Sequence, residues 1–280
     1  MDNKVFLLVL IATVMHAVWN AMVKKHPDKV VAVSGIVFGH VPCSIIAIIL
    51  LPAPSAASIP FIIASVFIHQ GYQWFLLSSY QIGDFTKVYP IARGSGPLVA
   101  TIISILFLGL VLDNLIILSI CFICLGILVL GIFDRSNKKN SKIIQYSLFT
   151  GFFIGLYSLV DGYGARASLS AITYISWSFL LNAFLFSVVL NLKKRKNIFK
   201  KVMNRGKQIF WIGGTLSYVI YIIVVWGFTK APIPTIGALR ETSIFFSIFI
   251  GYFFLKEKIT PTKIFSIIFI IAGVVGLKLF

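Results

Sequence analysis

Acidic side chains are nearly missing from this chain: eight Asp and Glu stand against 25 Lys and Arg in 280 residues. Charged residues of both signs make up only 12%, about half of what a soluble domain carries. An enzyme would need convergent acids, bases or metal ligands, and the shortage argues against one. No catalytic residue, metal or cofactor is therefore expected. Cysteine is equally sparse. Cys43, Cys121 and Cys124 all fall in apolar stretches, and the Cys121–Cys124 pair has no second pair or nearby histidine to complete a metal or redox site. It reads as helix packing. Long polar stretches are missing too, so no separate soluble domain has room to exist.

What is present is apolar: 59% of the residues are hydrophobic. Ten runs have the length of about 20 residues that a membrane-crossing helix needs. They lie near 4–23, 31–51, 60–80, 88–109, 114–133, 144–163, 170–192, 209–229, 233–255 and 262–279. The first, Val5 to Val23, has the length of a signal sequence but no basic leader beyond Lys4 and no convincing cleavage site, so it reads as a retained span. An all-α, multi-pass protein of the cell (cytoplasmic or inner) membrane is expected.

The net charge of +17 does not call for nucleic acid, because the basic residues sit between apolar runs. Eight lie between Lys193 and Lys207, and four between Arg135 and Lys142. Nineteen Lys and Arg fall at the loops after odd-numbered runs; Lys4, Arg166, Lys230 and Lys278 fall on the other side. The positive-inside rule then places the odd loops in the cytoplasm and both termini outside.

Two arginines, Arg93 and Arg240, lie inside apolar runs, 147 residues apart. At a bilayer centre each is penalised by roughly 2.5–3.5 kcal/mol, so such residues face a protein interior or a watery cavity. The same offset aligns residues 71–133 with 218–280 without a gap, pairing Gly126 with Gly273 and Trp74 with Tyr221. Five runs per half is an odd number, so the halves enter the membrane from opposite sides, an inverted-repeat architecture with its site near the midplane. The expected division is a first five-helix repeat at 1–135, a basic linker at 136–142 and a second repeat at 143–280.

Helical spacing puts Arg93, Gly96, Ala100 and Ser104 on one face, and Arg240, Ser243, Ser247 and Gly251 on its counterpart. Such small-residue faces serve as packing seams or as cavity walls. Pro90 and Pro97, with Gly94 and Gly96 between, predict a broken fourth helix. Arg93 and Arg240 are the candidate anion-binding residues, with Trp74, Tyr72, Tyr221 and Asn20 as wall. Glu241 and Asp161, the only acids at membrane depth, and His16 are candidates for carrying a coupling proton or ion, with His40 and His69 as the other histidines able to do so. Glu241 stands about 100° round the helix from Arg240 and is expected to pair with a neighbouring helix. Asp161-Gly162-Tyr163-Gly164-Ala165-Arg166 opens like a membrane phosphotransferase motif, but no acid follows until Glu241, so its metal site is excluded.

These features resemble the EamA-type members of the drug/metabolite transporter superfamily. The resemblance spans the chain and rests on Tyr89-Pro90-Ile91-Ala92-Arg93-Gly94-Ser95-Gly96-Pro97-Leu98, on Ala238-Leu239-Arg240-Glu241-Thr242-Ser243 running into Leu255-Lys256-Glu257-Lys258, and on Gly126 and Gly273. Leu108-Gly109-Leu110 departs from it, lacking the family's glutamate. The resemblance implies helices around a central cavity and secondary carriage of a small metabolite, by alternating access. Organic anions, phosphonates and amino acids are the expected cargo classes; Arg93–Pro97 is also similar to a branch associated with phosphonate use. A lipid-linked substrate flippase is the alternative, and a polytopic membrane enzyme a lesser one. Expected partners are the small solute and membrane lipid, with no nucleic acid, the protein being a monomer or weak dimer.

Overall fold

The computed structural model describes residues 1–132, 141–193, 195, 197–255 and 260–279. Most of the basic linker, 136–140, and Glu257 with its flanking lysines lie outside the described residues. Within them the chain is helical throughout, with no strand. The helices are α1 (Asn3–Lys25), α2 (Lys29–Leu50), α3 (Ile59–Ile82), α4 (Phe85–Leu106), α5 (Asn114–Ile132), α6 (Ser141–Ser168), α7 (Ala171–Leu192), α8 (Ile198–Arg205), α9 (Gly214–Phe228), α10 (Ile233–Glu241), α11 (Ser243–Leu255) and α12 (Pro261–Leu279).

The scarce acids start several of these helices. Asp2 accepts from Lys4 N and Val5 N at the head of α1, and Asp28 from Val30 N and Val31 N at the head of α2. Asp113 accepts from Leu115 N before α5. Each satisfies amides that the first helical turn leaves without partners, next to the positive end of the helix dipole. The Lys29 ammonium closes the other end of α1 by donating to the carbonyls of Val23, Lys24 and His26.

Among the described residues nine helical segments are long and apolar enough to cross a membrane. The expected third span, α3, is not one of them, because His69, Gln70 and Gln73 interrupt its apolar run. Two of the nine stand apart. The spans carrying Arg93 and Arg240 are each 72% buried, whereas no other exceeds 50%. The arginine helices form the inside of the molecule, as their charge demands.

The irregular backbone is not where the prolines place it. α4 runs unbroken through Pro90 and Pro97. The break falls instead in the expected ninth span, at Thr242, where α10 ends and α11 begins without a proline. Thr242 closes α10 by turning its amide and hydroxyl back to Leu239 O. A π-helical turn, Ile209–Gly213, opens the eighth span. It wraps α2, where a Cβ on Gly39 would stand 2.1 Å from Phe210 O.

Glycines set the tightest seams. α4 lies against α6, where a Cβ on Gly151 would stand 2.7 Å from Ala92 O and one on Gly155 2.9 Å from Gly96 O. α5 lies against α12, and there the contacts are reciprocal. A Cβ on Gly126 would meet Ser266 O at 2.9 Å and Ile270 Cγ1 at 3.1 Å; one on Gly273 would meet Ser119 O at 2.5 Å and Ile123 Cγ1 at 2.6 Å. Overpacking such a contact costs about 1–3 kcal/mol. Gly273→Leu should accordingly lower the thermal unfolding midpoint in detergent, while Gly237→Ala, with open space around its Cβ position, should not.

Candidate functional site

A central cavity of about 120 Å³ lies among α1, α2, α3, α4, α6, α7, α9 and α10. Its chemistry comes from one residue or a few on each. α1 supplies His16, Trp19 and Asn20; α3 supplies His69, Tyr72 and Gln73; α4 and α10 supply Arg93 and Arg240.

The two arginines share one carboxylate. Arg240 donates from Nε to Glu241 Oε1 at 2.9 Å and places Nη2 2.8 Å from the same oxygen. Arg93 Nε stands 2.9 Å from Glu241 Oε2, but neither atom makes an aligned hydrogen bond. The Arg93 contact is thus Coulombic, a proximity of charges without directed donation. Glu241 pairs with its own neighbour as well as across to α4, contrary to expectation. α10 ends at these residues, so the 100° offset of a continuing helix no longer separates the two side chains. All three groups are enclosed, at 6% (Arg93), 2% (Arg240) and 0% (Glu241) exposed.

Each guanidinium also lies near a tyrosine ring, Arg93 5.6 Å from Tyr89 and Arg240 5.8 Å from Tyr157. Arg93 Nη2 contacts His16 Nε2. An arginine only donates, so His16 presents its bare nitrogen and is neutral. Asn20 braces this turn by donating to His16 O at 2.8 Å.

Aromatic rings line the rest. His69 stacks on Tyr157 with centroids 4.4 Å apart, and Phe179 stacks on Tyr221 at 5.2 Å. Several enclosed polar atoms of the wall have no protein partner: Trp19 Nε1, both ring nitrogens of His40 and Gln73 Oε1. Buried polar groups are nearly always bonded, so these are places where water or a solute completes the hydrogen bonding. No three His, Cys, Asp or Glu side chains among the described residues come together as a metal-ligand set.

Of the residues singled out from sequence, Arg93, Arg240, Tyr72, Tyr221, Asn20 and His16 line the cavity. Trp74 does not. It is 42% exposed on the outside of α3, with the Lys193 ammonium over its ring, because Gln73 faces inward and the next residue turns about 100° away. Glu241 and Asp161 stand behind the wall, each 0% exposed. Tyr89, Tyr157 and Asn182 were missed. Tyr157 was within reach of the pattern, since Thr150, Ile154, Tyr157 and Asp161 follow helical spacing on α6.

Residues 141–279 match the EamA-like transporter family. The chain belongs to that family, and through it to the drug/metabolite transporter superfamily. No curated protein sequence matches. A solved crystal structure, described only as that of a protein, superposes on 100% of this EamA chain and 99% of its own, with a TM-score of 0.76 at 14% identity. That likeness extends the fold over the first half as well. The chain is a multi-pass membrane transporter.

The ion cluster sets an order of stability for this EamA protein. Removing one partner of a buried pair typically costs 3–5 kcal/mol. Glu241→Ala strands two guanidiniums, whereas Arg93→Ala leaves Glu241 paired with Arg240. Thermal unfolding in detergent should therefore show the larger loss for Glu241→Ala.

Proposed function

We propose that this protein is a secondary transporter of the cytoplasmic membrane, carrying a small anionic or zwitterionic metabolite through the cavity between two inverted five-helix repeats. One observation carries the reading. Two guanidiniums, from α4 and α10, meet in the cavity wall with a single carboxylate between them, which leaves an excess positive charge among these three groups. Guanidinium binds phosphonate, phosphate and carboxylate oxygens bidentately, so a small anion suits the excess. The unpartnered atoms of Trp19, His40 and Gln73 suit the polar remainder of such a solute.

The inverted repeat has support of its own. Shifting by 147 residues turns the contact of Gly126 with Ser266 and Ile270 into that of Gly273 with Ser119 and Ile123, so α5 and α12 pack as a reciprocal pair. Helix neighbours follow the same rule: α3 packs on α7 as α9 packs on α2, and α4 on α6 as α11 on α1. On this reading α3 is the tenth span, its polar middle facing the cavity. Alternating access then follows from one repeat rocking against the other.

Methylphosphonate, 2-aminoethylphosphonate, small carboxylates and amino acids should each be offered to the detergent-solubilised protein. At least one is expected to raise the unfolding midpoint. Arg93→Ala and Arg240→Ala should weaken it by roughly ten- to 100-fold, the worth of a charged hydrogen bond of about 1.5–3 kcal/mol. Full transport by both variants at normal expression sinks the proposal. Stabilisation only by large hydrophobic cations does the same, and stabilisation only by lipid-linked substrates moves the reading to a flippase.

Orientation is testable separately. Asn3 and Lys278 contact one another, placing both termini at one end, while His26 and Arg205 bond at another loop cluster rich in lysine and arginine. With the basic loops in the cytoplasm, a C-terminal alkaline phosphatase fusion should be active and a C-terminal fluorescent protein that folds only in the cytoplasm should be dark.

A further inference from the structure

We propose that His69 and Asp161 form the proton-binding site of this transporter, taking up one proton with each monoanion bound at the arginines. The coupling rests on the transport reading above; the proton site itself does not.

The geometry decides which hydrogens the His69 ring carries. His69 Nδ1 lies 2.9 Å from the carbonyl oxygen of Ser65, and a carbonyl only accepts, so Nδ1 carries a hydrogen. The Ser65 hydroxyl lies 3.2 Å from the same nitrogen. The other ring nitrogen, Nε2, faces Asp161 Oδ2 at 3.9 Å. On a singly protonated ring this nitrogen would turn its lone pair toward a carboxylate, which repels it. A second proton converts the same geometry into an N–H directed at an anion.

Asp161 is wholly buried beside two tyrosine hydroxyls. Tyr221 donates to Oδ2, and Tyr174 shares its one hydroxyl hydrogen between Oδ1 at 3.1 Å and Phe61 O at 3.2 Å. A wholly buried carboxylate needs a compensating charge as well as hydrogen bonds. His69 is the group beside it that a proton turns into a cation, its Nε2 3.9 Å from Oδ2. Of the pair only His69 lines the cavity, so the proton enters and leaves through the space the solute uses.

The surroundings fix what one proton does. Facing the pair are Tyr157 on α6, Tyr72 on α3, Tyr174 on α7, Tyr221 on α9 and His40 on α2, with Arg93 on α4, Arg240 and Glu241 on α10 and His16 on α1 beyond them. His16 is neutral because Arg93 donates to it, and His40 has no carboxylate against it, its ring stacking on Phe179. The two guanidiniums therefore balance Glu241 and Asp161. A proton on His69 leaves the wall with one positive charge, and a monoanion restores neutrality. In a low-dielectric interior each event favours the other, and the linkage is reciprocal. Of the coupling residues expected from sequence, His16 is engaged by Arg93, Glu241 by both arginines, and His40 by stacking on Phe179, which leaves Asp161 and His69.

The test uses proteoliposomes loaded with a pH-sensitive dye, the membrane potential clamped, and external methylphosphonate as probe. Entry of methylphosphonate should acidify the lumen by one proton per anion. His69→Gln and Asp161→Asn should lose acidification for whatever methylphosphonate they still move. An unchanged proton-to-anion ratio in both variants would overturn the proposal. If methylphosphonate neither stabilises nor crosses with the wild-type protein, that counts against the transport reading for this anion and leaves the proton site to a second measurement. The same measurement decides wherever a variant moves nothing. In nitrogen-15 histidine spectra of the solubilised protein, a doubly protonated ring should appear as the pH is lowered and should be missing in His69→Gln. A singly protonated His69 throughout about pH 5–8 overturns the site.

Discussion

The carboxylate of Glu241 is the contact on which the interior depends. Two guanidiniums in a low-dielectric space repel strongly, and neither can shed its charge. Placing one carboxylate between them turns a repulsion into a three-centre attraction and ties α4 to α10 across the molecule. The backbone accommodates this by ending α10 at Glu241. There the negative end of the α10 dipole favours Arg240, and the positive end of α11, beginning two residues on, favours Glu241.

Around that centre, packing and openness divide by residue size. Gly96, Gly151 and Gly155 bring α4 and α6 within backbone contact, and Gly126 with Gly273 does so for α5 and α12. These seams hold the bundle through van der Waals contact, the force left to helices whose surroundings are as apolar as they are. The rings of Tyr72, Tyr157, Phe179 and Tyr221 hold other helices apart. The cavity is the space between these rings, Tyr157 meeting Tyr72 and Tyr221 edge to face and Phe179 lying flat on Tyr221.

The helices and both arginines were legible in the sequence because charge is so rare in it. A lone arginine in an apolar run is a strong signal when the alternative is a penalty of several kcal/mol. Tyr89 and Tyr157 gave no such signal, since tyrosine in an apolar helix is ordinary, and their place beside the guanidiniums is a tertiary fact. The prolines misled for a related reason. A proline frees one carbonyl, which an enclosed helix such as α4 tolerates, whereas the break falls at Thr242, beside the ion cluster, with no proline there to announce it. Trp74 shows how finely a helix face is cut: one residue past Gln73, it points outside.

The polarity of α3 bears on how the chain enters the membrane at all. Insertion machinery that weighs segments singly finds α3 too polar in its middle to commit to lipid. Its polar groups are met mainly by helices made later: Asp161 of α6 stands by His69, and Asn182 of α7 accepts from Gln70 at 2.7 Å. The setting that suits α3 is thus complete only when α6 and α7, made after it, are in place.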